Sequence, residues 1–252
     1  MTKNDHPPWA SGPGELLQHG IDLLDDDTDA QRRIAMILID NAVELVLKTY
    51  LTLPKRITGL KLSRKERDDY CASYPNLLDG VESQAGDRLI GFNLGEFEWF
   101  HRLRNELYHE GNGLTVDRRN VEVFAELAEK LFEALFDCKL RIHAPKGSDA
   151  VLIGEFFEAW ISIERNLSQL STKGQRNSYF KVASHLFSAG EMSGTDYATL
   201  HEVRSIRNEL IHGEADPEEI LRPANMLKIQ HLAEVVQAMF DNRIQDSLRA
   251  ST

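Results

Sequence analysis

Cysteine is nearly absent from this 252-residue chain: Cys71 and Cys138 stand alone, too few for a disulfide framework or a thiolate metal cluster. The expected compartment is therefore reducing and cytoplasmic. The longest apolar run, Ile34 to Leu53, is interrupted by Asp40, Asn41, Glu44 and Lys48, so it cannot span a bilayer. The opening Met1-Thr-Lys-Asn-Asp-His-Pro-Pro has no apolar core and does not read as a secretory signal. Glycine-rich phosphate loops are missing. Positive charge is also in deficit: the formal net charge is −11, and such a field repels a polyanion, which excludes a general phosphate-backbone binder. A local basic site can still act inside an acidic protein. The run Lys55, Arg56, Lys61, Arg64, Lys65 and Arg67, facing the single acid Glu66, is such a site for substrate, or else a solvated surface insert. With 42% hydrophobic and 27% charged residues, the rest of the composition is that of an ordinary globular protein.

Strand-like alternation is missing too, and apolar residues recur at helical spacing almost throughout. A first helix is expected from Glu15 to about Leu24. Thr28 and Gln31 form a capping box that opens a second, running to Leu53, where Pro54 stops it. Its stripe is Ile34, Ile37, Leu38, Asn41, Leu45 and Lys48. A polar insert with short helices, spanning about 54–93, follows, with a further capping box at Ser63 and Glu66. Helices are then expected over Leu94–His109 and Val116–Leu140. His143-Ala-Pro-Lys-Gly-Ser-Asp149 is the clearest punctuation in the chain and divides it into a domain at 1–143 and another at 150–252. In the second domain, helices are expected over Val151–Leu170, Gln175–Ala189, Thr195–His212 and Arg222–Arg243. The fold class is all-α: two tandem up-and-down bundles, each of four main helices.

The two halves share residues as well as order. Arg104-Asn105-Glu106-Leu107-Tyr108-His109 matches Arg207-Asn208-Glu209-Leu210-Ile211-His212 at five of six positions, 103 residues apart. Upstream, Phe97, Phe100 and Leu103 align with Leu200, Val203 and Ile206. Downstream, Leu127-Ala128-Glu129 and Ala134-Leu135-Phe136-Asp137 echo Leu232-Ala233-Glu234 and Ala238-Met239-Phe240-Asp241. Matching stripes on both sides of the block indicate one fold used twice.

On an ideal helix, with Leu103 at 0°, Phe100 falls at about 60° and Leu107 at about 40°. Arg104 falls at about 100°, Asn105 at about 200° and His109 at about 240°. The three polar groups, like Arg207, Asn208 and His212 in the second copy, are expected on an arc away from the core. Glycine follows both histidines, as Gly111 and Gly113 and as Gly213, the residue that most often closes a helix in the left-handed conformation. Imidazole is the side chain that exchanges protons near neutral pH. Asn105 and Asn208, four residues earlier, are within reach to orient the rings. Arg104 and Arg207 offer guanidinium forks for a phosphate. A single such block reads equally as a helix-end histidine bonding the last carbonyls; two copies favour the chemical reading. Asp25, Asp26, Asp27 and Asp29 read as ordinary acids at a helix start rather than a metal loop. Trp9, Trp99 and Trp160 read as packing residues.

Arg-Asn-x3-His at the end of a penultimate core helix resembles the HEPN superfamily, at Arg104/Asn105/His109 and again at Arg207/Asn208/His212. Asp40-Asn-Ala-Val-Glu-Leu-Val-Leu-Lys48 resembles that family's second-helix pattern. The resemblance covers nearly the whole chain as two domains, although its motif is short. It implies a metal-independent endoribonuclease without a cofactor, a toxin or effector of prokaryotic antiviral or toxin–antitoxin defence. RNA is the implied substrate, and an antitoxin, a defence-complex protein or a second copy the implied partner. Histidine takes the proton of a ribose 2′-hydroxyl and arginine stabilises the phosphate, with both domains paired as a pseudo-dimer around a shared cleft. The tyrosine that one branch of the family carries two positions after the histidine is replaced by Gly111 and Glu214, which argues against its adenylylation. Two other readings stay open: a non-catalytic module of the same type that binds RNA, nucleotide or a protein of a defence complex, and a purely structural helical adaptor.

Overall fold

The computed structural model describes residues 7–109, 115–140, 149–171, 179–213 and 215–249, without the side chains at 108, 109, 246 and 247. Every regular element among the described residues is helical. The chain divides into two compact units, Met1–Val151 and Leu152–Thr252. The connecting segment named above lies, apart from Asp149, outside the described residues.

In the first unit, α1 (Ser11–Asp22) runs through a 3-10 turn, Leu23–Asp25, to α2 (Asp29–Thr52). The expected capping box opens α2: the Gln31 backbone N–H donates to Thr28 Oγ1 at 3.3 Å, and the Thr28 N–H donates to Gln31 Oε1 at 3.3 Å. The neighbouring aspartates serve ion pairing. Asp27 lies 2.8 Å from Arg32 and 3.6 Å from Arg118, and Asp29 also pairs with Arg32. Two short helices follow, α3 (Lys55–Thr58) and α4 (Arg64–Tyr70), the latter opened by the Ser63–Glu66 box.

The expected polar insert contains a core helix. Ser73 caps α5 (Tyr74–Ala85) by accepting from the Asn76 N–H, and α5 buries Tyr74, Leu77, Leu78, Val81 and Ala85. The stripe is short and follows a basic run, which hides it in the sequence. Among the described residues the first unit therefore has five longer helices rather than four. Its last two are α6 (Leu94–His109) and α7 (Arg118–Phe136), capped by Asp117 and closed by Asp137 in the left-handed region.

Helix α2 is the axis of this unit, packed by α1, α5, α6 and α7. Ile39, Val43 and Leu47 from α2 are fully buried, as are Phe100, Phe124, Leu131 and Phe132. The Phe100 and Phe124 rings stack at 4.4 Å. Each such buried side chain is worth roughly 1.5–3 kcal/mol, so α6 is anchored by its aromatic face.

The second unit holds α8 (Ala150–Gln169), α9 (Tyr179–Ser188), α10 (Gly194–His212), the one-turn α11 (Pro217–Ile220) and α12 (Pro223–Arg249). Residues 175–178, where α9 was expected to begin, fall outside the described set. Trp160, Phe156, Leu200, Val203, Ile229, Leu232 and Val236 form the core. No helix among the described residues is long and apolar enough to cross a membrane.

Candidate functional site

The repeated block occupies the C-terminal turns of α6 and α10. The asparagine and histidine of the second copy face outward as expected: Asn208 and His212 are exposed. Gly213 closes α10 with φ 67°, its N–H bonded back to the Leu210 carbonyl at 3.3 Å. In the first copy, the His109 side chain and Gly111 and Gly113 lie outside the described residues.

The arginines differ from the expectation. Arg207 is buried, with 5% exposure, and its guanidinium carbon lies 5.4 Å from the Trp160 ring centroid. Arg104 retains 20% side-chain exposure. The reason lies in the stripe itself. Phe97 is also buried and falls at about 120° on the same wheel, so the inner face centres near 80° and includes the arginine. A long aliphatic stem then carries the cation across the neighbouring helix.

In the first unit that neighbour supplies acceptors. Arg104 Nε lies 3.2 Å from Asp40 Oδ2. One terminal nitrogen donates to Asn41 Oδ1 and the other to Asn105 Oδ1, both at 2.9 Å. Asn105 thus orients the arginine as well as standing four residues before His109. Asp40 is fully buried, so removing its carboxylate from water requires charged or hydrogen-bonding partners. Arg104 is one, and His101 is the other: its Nδ1 sits 3.1 Å from both Asp40 oxygens. The His101 ring stacks on Tyr74 with centroids 3.8 Å apart and planes 3° from parallel. Burial, then the carboxylates of Asp40, Glu44 and Glu98, push the Tyr74 phenol well above its usual range. It remains a neutral donor, reaching the Phe97 carbonyl at 3.4 Å.

Three helices of the chain's first unit therefore meet in one polar cluster beside an aromatic wall. Asp40 and Asn41 come from α2, Tyr74 from α5, and His101, Arg104 and Asn105 from α6, with α7 behind Phe100. His101 carried no sequence signal, because its partner is 61 residues away. At the aligned position in the second unit stands Arg204, whose guanidinium carbon lies 4.5 Å from the Phe180 centroid.

The basic run is not brought into this cluster. Lys55, Arg56, Lys61, Arg64 and Lys65 are all exposed, on and between the short helices α3 and α4 that follow α2. Arg64 pairs loosely with Asp68 at 3.9 Å. Among the described residues no group of three or more His, Cys, Asp or Glu could hold a metal ion.

The arrangement offers an oriented guanidinium, an imidazole tied to a buried carboxylate, and a neutral phenol. Such a set can hold an anion and move a proton. Comparison with known proteins adds no name to it: no family model, no curated protein and no solved structure matches the chain.

Proposed function

We propose that the protein is a metal-independent endoribonuclease whose Arg-Asn-x3-His blocks carry the chemistry, acting as an effector or toxin of prokaryotic defence. The observation that supports this most is the Arg104 guanidinium. Asp40, Asn41 and Asn105 fix it in one orientation at the end of α6, as a group that must meet a phosphate in a transition state should be fixed. His109 follows Arg104 in sequence at the spacing that repeats in Arg207 and His212. Pairing of the two units as a pseudo-dimer around one RNA belongs to this proposal, as do an antitoxin or a second copy of the chain as partner.

In the proposed reaction a histidine accepts the 2′-hydroxyl proton and the oxygen attacks the adjacent phosphorus. Pure protein mixed with total RNA in excess EDTA is expected to give fragments ending in 2′,3′-cyclic phosphate and 5′-hydroxyl. DNA, lacking the nucleophile, is expected to stay intact. Activity abolished by EDTA and restored by magnesium contradicts this chemistry.

One observation favours a narrower reading for the second unit. Arg207 is buried against Trp160, where the same block does structural work. The non-catalytic binding module is therefore the alternative for that unit, with the first unit as the catalytic one.

A further inference from the structure

His101 lies outside the repeated block, one helical turn before Arg104, and its geometry is that of an oriented base. Its Nδ1 is 3.1 Å from both oxygens of Asp40, and beside the Arg104 guanidinium that carboxylate is an acceptor. Nδ1 must then carry the hydrogen, which leaves the lone pair of the neutral ring on Nε2. Tyr74 covers one ring face. Asp40 has no exposure at all while the His101 side chain keeps 17%. The Nδ1 edge points inward, so the exposed part is the edge carrying Nε2, which has no hydrogen-bond partner among the described residues. The ring and the Arg104 guanidinium share one carboxylate, so Nδ1 and Nε lie no further apart than two such contacts, 3.1 and 3.2 Å.

A packing role accounts for less of this. A phenyl ring stacks on Tyr74 equally well and needs no buried acid. The second unit, built on the same block, has Arg204 at the aligned place, so the fold itself does not demand the histidine.

We propose that His101 is the general base of the first unit, acting with the block histidine as acid, its tautomer fixed by Asp40 and its Nε2 facing the phosphodiester that Arg104 holds. The proposal rests on the ribonuclease reading above. In the step, Nε2 takes the 2′-hydroxyl proton, the O2′–P bond forms and the P–O5′ bond breaks. The departing O5′ takes a proton from the block histidine, which the ribonuclease reading supplies as the acid, and water carries the proton from His101 back to that ring. Protons and electrons balance without a further reactant.

Two side-chain amides separate the roles. Asparagine at this position reproduces the Nδ1–H donor to Asp40 but offers nothing at Nε2. His101→Asn is expected to unfold within a few degrees of wild type and to lower RNA cleavage in EDTA by at least about 100-fold, the lower end for loss of a general base. His101→Gln, which keeps a nitrogen near Nε2 but is no base, is expected to fall equally. Cleavage by His101→Asn within about threefold of wild type overturns the proposal, because the residue then only supports Asp40. Wild-type protein that cleaves no RNA sinks the ribonuclease reading, and the His101 assignment is then decided by nitrogen NMR of the wild-type histidines. Its Nε2 must be unprotonated and must shift on adding uridine 3′-monophosphate, with the shift lost in Arg104→Ala. A protonated Nε2 in the neutral ring, or one that ignores the nucleotide, overturns it.

Discussion

Asp40 is the residue on which the site depends. It lies in the middle of α2, fully buried, and is held by Arg104 and His101 from α6. Removing one partner of a buried ion pair leaves the others uncompensated, at a cost of roughly 3–5 kcal/mol. Arg104 and His101 each keep up to a fifth of their side chain in solvent, so Asp40→Ala is expected at the low end, about 3 kcal/mol, in urea unfolding. A loss below about 0.5 kcal/mol would show that the cluster is not coupled. The same residue shows what a sequence can and cannot reveal. Arg104 and Asn105 were visible because they recur 103 residues later. Asp40 was visible as one of the polar interruptions of an apolar helix and as the start of the stretch that resembles a second-helix pattern, without its partners. His101 was not visible, since a lone histidine acquires meaning only from a carboxylate on another helix. Arg207 marks the other limit. The arginine of the repeated block is buried in the second unit and keeps a fifth of its side chain exposed in the first, because burial depends on the facing residue, Trp160 or Asp40.

At the scale of elements, the helix starts were legible where capping chemistry is local. Thr28/Gln31 and Ser63/Glu66 each satisfy backbone donors within four residues, and both boxes form. Helix ends were less legible: α12 continues to Arg249, since nothing in its sequence stops it at Arg243. Short helices were expected in the insert, but the core role of α5 was hidden because its partners lie on α2 and α6 rather than nearby. Close approach between helices is similarly non-local. Gly20 on α1 lies against α2, and a Cβ there would stand 2.8 Å from Ile39 Cγ1 and 3.2 Å from the Ala35 carbonyl oxygen. Gly20→Ala raises helix propensity, by up to about 1 kcal/mol, yet it must push α1 and α2 apart. Overpacking of this kind costs about 1–3 kcal/mol. The variant is expected to be destabilised by a net of up to about 2 kcal/mol, and a stabilised one would mean that Ile39 can turn aside without loss.

At the scale of the whole molecule, the acidic chain is suited to a discrete phosphate site rather than to general polyanion affinity. The duplicated blocks raise the question of whether two motifs act on one bond or on two. Acid–base groups that share a transition state fail together when either is removed. The direct measurement is RNA cleavage in EDTA by wild type, His109→Ala, His212→Ala and the double variant, with folding checked by thermal unfolding. The account predicts that each single change lowers the rate at least tenfold, a margin below the usual loss of about 10²–10⁴ for an acid–base group, and that the double variant is inactive. A double variant that folds and cleaves RNA like wild type would contradict the assignment of these blocks to catalysis.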